Sequence, residues 1–313
     1  MTKKIVFTID GGAGRVITAI PSLKKYVMNN SDHDVRILVH GWEDLFYGVP
    51  ELQDKVYSSE QRGSFDLHVK DADKFVRPEP YCLPSYYRQE KSLIEAFDEI
   101  INETDDHSDL GVPQLPVSKQ EFVFASQALA QAKQAGKPIV VVQPFGREAQ
   151  KVGENDVLDS GSRSFEIDFY MNLIRSLSDK YTLVLMAEQH LFVPVDNITI
   201  KVNANLRGWV GVIAQADYFI GCDSLGQHIA RAVNKRGTVI LGATFAKNTT
   251  YPDFHNVIEG TQDKRYAPIR INGIDCDIAN RYNTRCMYFT QEQQDAIIQT
   301  INDDIRGTLN VNT

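Results

Sequence analysis

Short apolar strands that empty into a small polar turn and then into an amphipathic helix recur along this chain in two separate runs. In the first run, Lys4–Ile9 ends at Asp10-Gly11-Gly12-Ala13-Gly14, and a helical spacing follows through Val16, Ile17, Ile20, Leu23 and Val27. Val35–His40 reads as a second strand, Glu43–Tyr47 as a short helix, Asp66–Val69 as a third strand and Ser92–Asn102 as a helix. The Pro- and Tyr-rich stretch from Phe75 to Tyr87 reads as an ordered loop, and the acidic stretch 102–116 as a surface loop. A helix over Ser118–Ala135, stopped at Gly136, leads into the second run. There, strands are expected at Pro138–Val142, Thr182–Ala187, Ile198–Val202, Tyr218–Ile220 and Thr238–Gly242. Helices are expected at Phe165–Leu177 with Ser164 as N-cap, at Trp209–Gln215 and at Gln227–Val233. A last helix, Gln291–Ile305, opens on a capping box of Thr290 and Gln293. Strands this short and this continuously apolar are buried on both faces, so their alternation with helices specifies parallel sheets covered on both sides. Two runs predict an α/β protein of two Rossmann-like, doubly wound domains facing a cleft.

The expected division is an N-terminal acceptor-side domain over 1–125, a C-terminal nucleotide-sugar-binding domain over 126–290, and a helix over 291–313 that packs back on the first domain. Ligands of doubly wound sheets bind outside the carboxyl ends of the strands. Four turns fall there, at Gly11–Gly14, Gln143–Arg147, Gly221–Ser224 and Gly242–Phe245. The richest is Gly221-Cys222-Asp223-Ser224-Leu225-Gly226-Gln227-His228, where a strand passes through a glycine-bearing turn into a helix. Backbone N–H groups and a helix dipole converge at such a point and suit a phosphate or diphosphate. Asp223 and Ser224 either cap the helix or meet a sugar hydroxyl. His228, one turn in, is placed to face the same ligand.

Composition narrows the classes. With 313 residues, 42% hydrophobic and 24% charged, the chain is an ordinary globular protein of two-domain length. A net charge of -8 provides no global field for nucleic acid or anionic membrane. No apolar run approaches a membrane span or a signal peptide, so a cytoplasmic location is expected. The four cysteines (Cys82, Cys222, Cys276, Cys286) read as free thiols, and the spacing of Cys276 and Cys286 gives little support for a metal site.

Several of these stretches together resemble the ADP-heptose:lipopolysaccharide heptosyltransferases, inverting enzymes of the two-domain GT-B glycosyltransferase fold. Gly12-Ala13-Gly14-Arg15-Val16, closing at Pro21-Ser22-Leu23, is similar to that family's N-terminal glycine segment. Ile139–Gly146 resembles its strand into a donor-phosphate loop, and Arg163-Ser164-Phe165 its basic and aromatic residues before a helix. The stretch from Gly208 to Ala230 resembles the helix, strand and Asp-Thr-Gly-x-x-His-x-Ala motif that binds the donor diphosphate. Cys286-Met287 before the last helix matches the family's ending. Two departures stand out. Arg15 occupies the place of the family's Asp, its candidate base, and cannot accept a proton. The motif glycine has also moved, to Gly226, which points to a divergent branch with a donor or acceptor unlike heptose on lipid A core.

The resemblance implies an inverting, metal-independent transfer from a nucleoside-diphosphate sugar to a hydroxyl, with no cofactor beyond that donor. Such a reaction needs a base at the acceptor hydroxyl and cations or N–H dipoles on the leaving diphosphate. The catalytic positions are Asp10 and Arg15, with Asp10 the candidate base. Donor binding falls to Gly12, Gly14, Arg147, Arg163, Gly208, Trp209, Asp223, Ser224, Gly226, Gln227 and His228, with Lys151 and Lys247 in reserve. The acceptor is a saccharide such as the lipopolysaccharide core, a protein, or a hydroxymethylated base of phage DNA. Lys24, Lys25, Arg77, Arg88 and Lys91 beside the Tyr81–Tyr87 aromatics would form a basic rim for DNA. The alternatives are a nucleotide-sugar epimerase of the same fold and a non-catalytic nucleotide-sugar-binding protein.

Overall fold

The structure is a computed structural model that describes residues 2–153, 156–159, 161–191, 193–195, 198–260 and 286–311. Cys276 lies outside these residues. The chain divides into two compact units, Met1–Pro116 and Val117–Thr313.

The first unit is built on four parallel strands, β1 (Lys4–Ile9), β2 (Asp34–Val39), β3 (Val56–Ser58) and β4 (Lys74–Val76), in the order β3-β2-β1-β4. Helix α1 (Ala13–Asn29) buries Val16, Ile17, Ile20 and Leu23. It packs against α3 (Leu93–Asn102), which follows the one-turn helix α2 (Pro84–Tyr87). A full capping box starts α3: Ser92 Oγ accepts from the Glu95 N–H, and the Glu95 carboxylate accepts from the Ser92 N–H. The expected strand at Asp66–Val69 is instead a wide helical turn, Phe65–Val69. Its apolar residues do not alternate into a core, since Phe65 and Leu67 are exposed and only His68 is buried. The strands that complete the sheet are the three-residue β3 and β4, too short to show a period.

The second unit carries a six-stranded parallel sheet of β5 (Ile139–Gln143), β8 (Thr182–Leu185), β9 (Thr199–Lys201), β10 (Tyr218–Cys222), β11 (Gly237–Leu241) and β12 (Asn256–Glu259). Its order is β12-β11-β10-β5-β8-β9, the doubly wound order in which the chain first winds one way from β5 and then the other way from β10. Each residue of β5, β8, β10 and β11 is buried, as a sheet covered on both faces requires. A small antiparallel hairpin, β6 (Ala149–Lys151) with β7 (Val157–Asp159), stands outside the main sheet.

The observed division differs from the expected one. The boundary falls before helix α4 (Lys119–Ala128), earlier than 125/126, because α4 docks on α7 (Leu206–Gln215) of the second unit. Gly208 and Gly211 permit that docking: a Cβ on Gly208 would sit 2.8 Å from the Phe124 ring, and one on Gly211 would sit 2.6 Å from the Glu121 carbonyl oxygen. Gly211→Ala therefore forces two backbones apart, which outweighs alanine's helical advantage of about 1 kcal/mol. We expect a net loss of about 1–2 kcal/mol, read as a lowered urea midpoint with unchanged slope.

The C-terminal helix, Gln291–Val311, belongs to the second unit. Its Ile298, Ile301 and Ile305 enter the core formed by Val140, Phe169, Leu173 and Ile174. Asn302 accepts from the Tyr181 hydroxyl at 3.0 Å, and Gln294 accepts from the Asn172 amide at 3.0 Å. The Thr290–Gln293 capping box forms as the spacing predicts. At α6 (Ile167–Ser178), by contrast, Ser164 is not the N-cap; Glu166 holds that place without a side-chain bond.

Candidate functional site

Strands β5 and β10 are neighbours at the centre of the second sheet, and the chain leaves them toward opposite edges, from β5 to β8 and from β10 to β11. Their carboxyl ends mark the topological switch point, where doubly wound sheets open a crevice for ligands. Gln143 ends β5, and Cys222 ends β10 just ahead of Asp223, Ser224 and α8 (Leu225–Ala232). Five of the sequence-predicted donor residues, Asp223, Ser224, Gly226, Gln227 and His228, thus lie at this point.

The cap on α8 is not the expected one. Ser224 is the N-cap residue but makes no side-chain bond to the helix. The Gln143 carboxamide reaches across from β5 instead: its oxygen accepts from the Gly226 N–H at 2.7 Å, and its nitrogen donates to Ser224 Oγ at 3.2 Å. A Cβ at Gly226 would sit 2.5 Å from that oxygen and 2.7 Å from the Phe219 ring. Glycine is needed here for the Gln143 contact, and this N–H is already satisfied by the protein rather than open to a phosphate.

Asp223 is buried and accepts from the Gln227 amide at 2.9 Å. Burial pushes its carboxyl above the ordinary range, opposed by the nearby Arg163 guanidinium and by hydrogen bonds from Thr244 and Gln227. Arg163 sits half-buried in the 161–164 turn, and Asp159 holds this turn in place. One Asp159 oxygen accepts from the Gly161 N–H at 2.8 Å; the other accepts from the Ser164 N–H at 2.8 Å and the Ser164 hydroxyl at 2.6 Å. Ser164 Oγ in turn accepts from the Gly146 N–H at 2.8 Å, tying this turn to the end of β5. That bond explains why Ser164 caps no helix. Arg147, Lys151 and Lys247 are exposed, so Arg163 is the predicted donor cation that the fold fixes beside Asp223.

His228 is buried, and its Nδ1 lies 2.8 Å from the Tyr251 hydroxyl. Burial, helped by the neighbouring His255, pushes its pKa down to about 3, so the ring is neutral at physiological pH. His255 is likewise pushed down to about 4 by burial, with Nε2 3.3 Å from the Gln227 carbonyl oxygen. Gly208 and Trp209 occupy the first turn of α7, where Asn205 caps the Gly208 N–H at 2.8 Å. Both are buried, Gly208 against Phe124, so their visible work is helix packing.

In the first unit the equivalent switch point lies between β1 and β4. Gly12 is the N-cap residue of α1 and Gly14 lies in its first turn. Gly11 adopts a positive φ of 94°, and the Trp42 indole donates to its carbonyl at 3.0 Å. Asp10 is partly exposed, with Arg77 donating to its Oδ2 at 2.5 and 3.1 Å. Arg15 is not at the surface: its side chain is 4% exposed and lies between the rings of Tyr81 and Phe97. It donates to the Pro78 carbonyl at 2.7 Å and pairs with Glu79 at 3.1 Å, with Asp10 3.5 Å away. This geometry makes Arg15 a clamp on the segment after β4. Neither Arg77 nor Glu79 was marked by sequence as part of this cluster.

The basic rim expected for DNA is largely neutralised. Lys24 pairs with Glu51, Lys25 with Asp98 and Asp109, Arg77 with Asp10, and Lys91 with Glu99 and Asp105. Arg88 is exposed, while Tyr81 and Tyr86 are buried rather than displayed for stacking. Cys82, Cys222 and Cys286 are free thiols. No described helix is long and apolar enough to cross a membrane.

No protein-family profile and no curated protein sequence matches this chain. Solved structures do. A glycosyl transferase family 9 protein from Veillonella parvula superimposes with a TM-score of 0.64 at 10% identity, covering 97% of each chain. ADP-heptose lipopolysaccharide heptosyltransferase II of E. coli gives 0.60 at 16% identity, over 89% of this chain and 97% of that one. The heptosyltransferase TibC, crystallised in complex with ADP-D-beta-D-heptose, gives 0.58 at 12% identity, over 97% of this chain and 78% of that one. The chain thus has, over nearly its whole length, the α/β fold of the GT-B glycosyltransferases.

Proposed function

We propose that this protein is an inverting, metal-independent glycosyltransferase that uses a nucleoside-diphosphate sugar as donor. The observation that carries the reading is the switch point of the second unit, where Asp223 lies beside Arg163 and the following helix carries His228, on a fold shared with enzymes of that class. Arg163 would neutralise charge on the leaving diphosphate, and the neutral His228 ring would hydrogen-bond to it. In the reaction the acceptor oxygen bonds to the anomeric carbon as the bond from that carbon to the diphosphate oxygen breaks, inverting the centre. The hydroxyl proton passes to a carboxylate. Asp10 of the first unit is our candidate for that role; Arg77 donates to one of its oxygens, and the other lies 3.5 Å from the Arg15 guanidinium. The acceptor class is a saccharide or a protein hydroxyl; the paired lysines weigh against a DNA base.

Transfer from a panel of labelled nucleoside-diphosphate sugars tests the reading. Arg163→Ala is expected to lower kcat/KM about 10²-fold with the thermal midpoint preserved, as loss of one charge-stabilising donor does. Asp10→Asn should abolish transfer while donor binding persists. Full turnover by both variants would refute the assignment. Binding of a nucleotide sugar without transfer or hydrolysis would make the chain a binding protein instead.

A further inference from the structure

The loop between β11 and β12 contributes a residue that neither motif nor spacing marks. Tyr251 follows the short helix α9 (Ala246–Thr249), and its carbonyl accepts from the Phe254 and His255 N–H groups at 2.9 and 2.8 Å. The rings around it hold this turn. Tyr251 meets His228 and His255 edge-on at centroid distances of 5.7 and 6.0 Å, and Arg231 stacks over Phe254 at 4.3 Å. The Tyr251 hydroxyl is thereby fixed on His228 Nδ1 at 2.8 Å. Among the described residues, His228 Nε2 has no hydrogen-bond partner.

The pair has two forms: the Tyr251 hydroxyl donates to a bare Nδ1, or it accepts from a protonated one. Burial holds Tyr251 as a neutral phenol, and the one acceptor that its hydroxyl meets among the described residues is His228 Nδ1. A bare Nδ1 in a neutral ring puts the ring hydrogen on Nε2. We propose that Tyr251 is a positioning residue for nucleoside-diphosphate recognition: its hydroxyl fixes the His228 ring and tautomer, so that Nε2–H is presented as a donor to a phosphate oxygen. The proposal rests on the donor-site reading above. Charge is then supplied by Arg163 and direction by His228, with Tyr251 acting only through the imidazole.

Two readouts on the full-length protein test it. In ¹⁵N spectra of histidine-labelled protein, the wild type should show His228 with a bare Nδ1 and a protonated Nε2. Tyr251→Phe should turn that signal into a mixture of tautomers. In calorimetric titration with ADP, or the nucleoside diphosphate that the wild type prefers, Tyr251→Phe should weaken binding about five- to tenfold. Tyr251→Phe combined with His228→Ala should bind no more weakly than His228→Ala alone, since the hydroxyl has no role without the ring. A Tyr251→Phe protein with wild-type affinity and an unchanged tautomer overturns the proposal, as does strict additivity in the double variant. If the wild type binds no nucleoside diphosphate at all, the donor-site reading fails and the ligand half of the proposal fails with it. The ¹⁵N tautomer then still decides whether Tyr251 sets the ring.

Discussion

Replacing Arg207 by alanine should destabilise the second unit by about 3–5 kcal/mol, the usual loss when one partner of a buried ion pair is removed. Arg207 lies in the first turn of α7 and donates to both carboxylate oxygens of Glu121 on α4, at 2.5 and 2.9 Å. The two side chains are 8% and 13% exposed, so solvent does little to screen the pair. Burial alone would lift the Glu121 carboxyl; bonds from Arg207 and from the Ser118 backbone overturn that and hold it below the usual carboxylate range. With alanine at 207 the carboxylate stays buried, capping α4 but without its counter-charge. The thermal midpoint should fall by roughly 10 °C for a unit of this size. A loss below about 1 kcal/mol would show that the pair is solvated in solution. Arg207→Met with Glu121→Met should recover most of the loss, because no charge is then left unpaired.

Acid should weaken the protein through His228 and His255. Their folded pKa values, about 3 and about 4, lie below the ordinary histidine value of 6.5, so the unfolded chain binds more protons in between. Stability contributed by these neutral rings is fully present above pH 6.5 and is lost as pH falls toward 4. Each ring costs about 1.4 kcal/mol per pH unit in that window, several kcal/mol for the pair. The raised carboxyl of Asp223 works in the opposite sense and offsets part of the loss at the acid end. Denaturant midpoints taken between pH 7 and 4 measure the slope. His228→Gln and His255→Gln should each flatten it, and a wild-type slope in both variants would show that the rings are hydrated in solution.

The strands of the second unit were legible because the buried runs Ile139–Val142 and Tyr218–Ile220 are apolar without interruption, and each leads into a turn of small or polar residues. In the first unit β3 and β4 have three residues each and take their place from β1 and β2, so no local period reveals them. The switch-point residues Asp223 and His228 were found from their spacing after a strand. Their partners were not. Gln143 meets Gly226 across 83 residues and Tyr251 meets His228 across 23, contacts that only the folded sheet creates. Ser164 shows the converse error: it precedes an apolar helix, as an N-cap does, but Asp159 takes both its hydroxyl and its N–H. Arg15 was readable as an unusual residue at the position of the resembled family's candidate base, yet no local pattern showed that Tyr81, Phe97 and Glu79 would enclose it.

The last helix also sets an order of events during synthesis. The first unit has its whole sheet once residue 116 has left the ribosome. The second cannot close in the same way: β5 at its centre waits for β10, and the core around Val140 and Phe169 waits for Ile298, Ile301 and Ile305. At ordinary elongation speeds that leaves the strand Ile139–Gln143 without its covering helix for on the order of ten seconds. A nascent chain of this protein therefore carries a finished domain joined to a sticky one, and the second unit exposes apolar surface until the helix Gln291–Val311 has emerged.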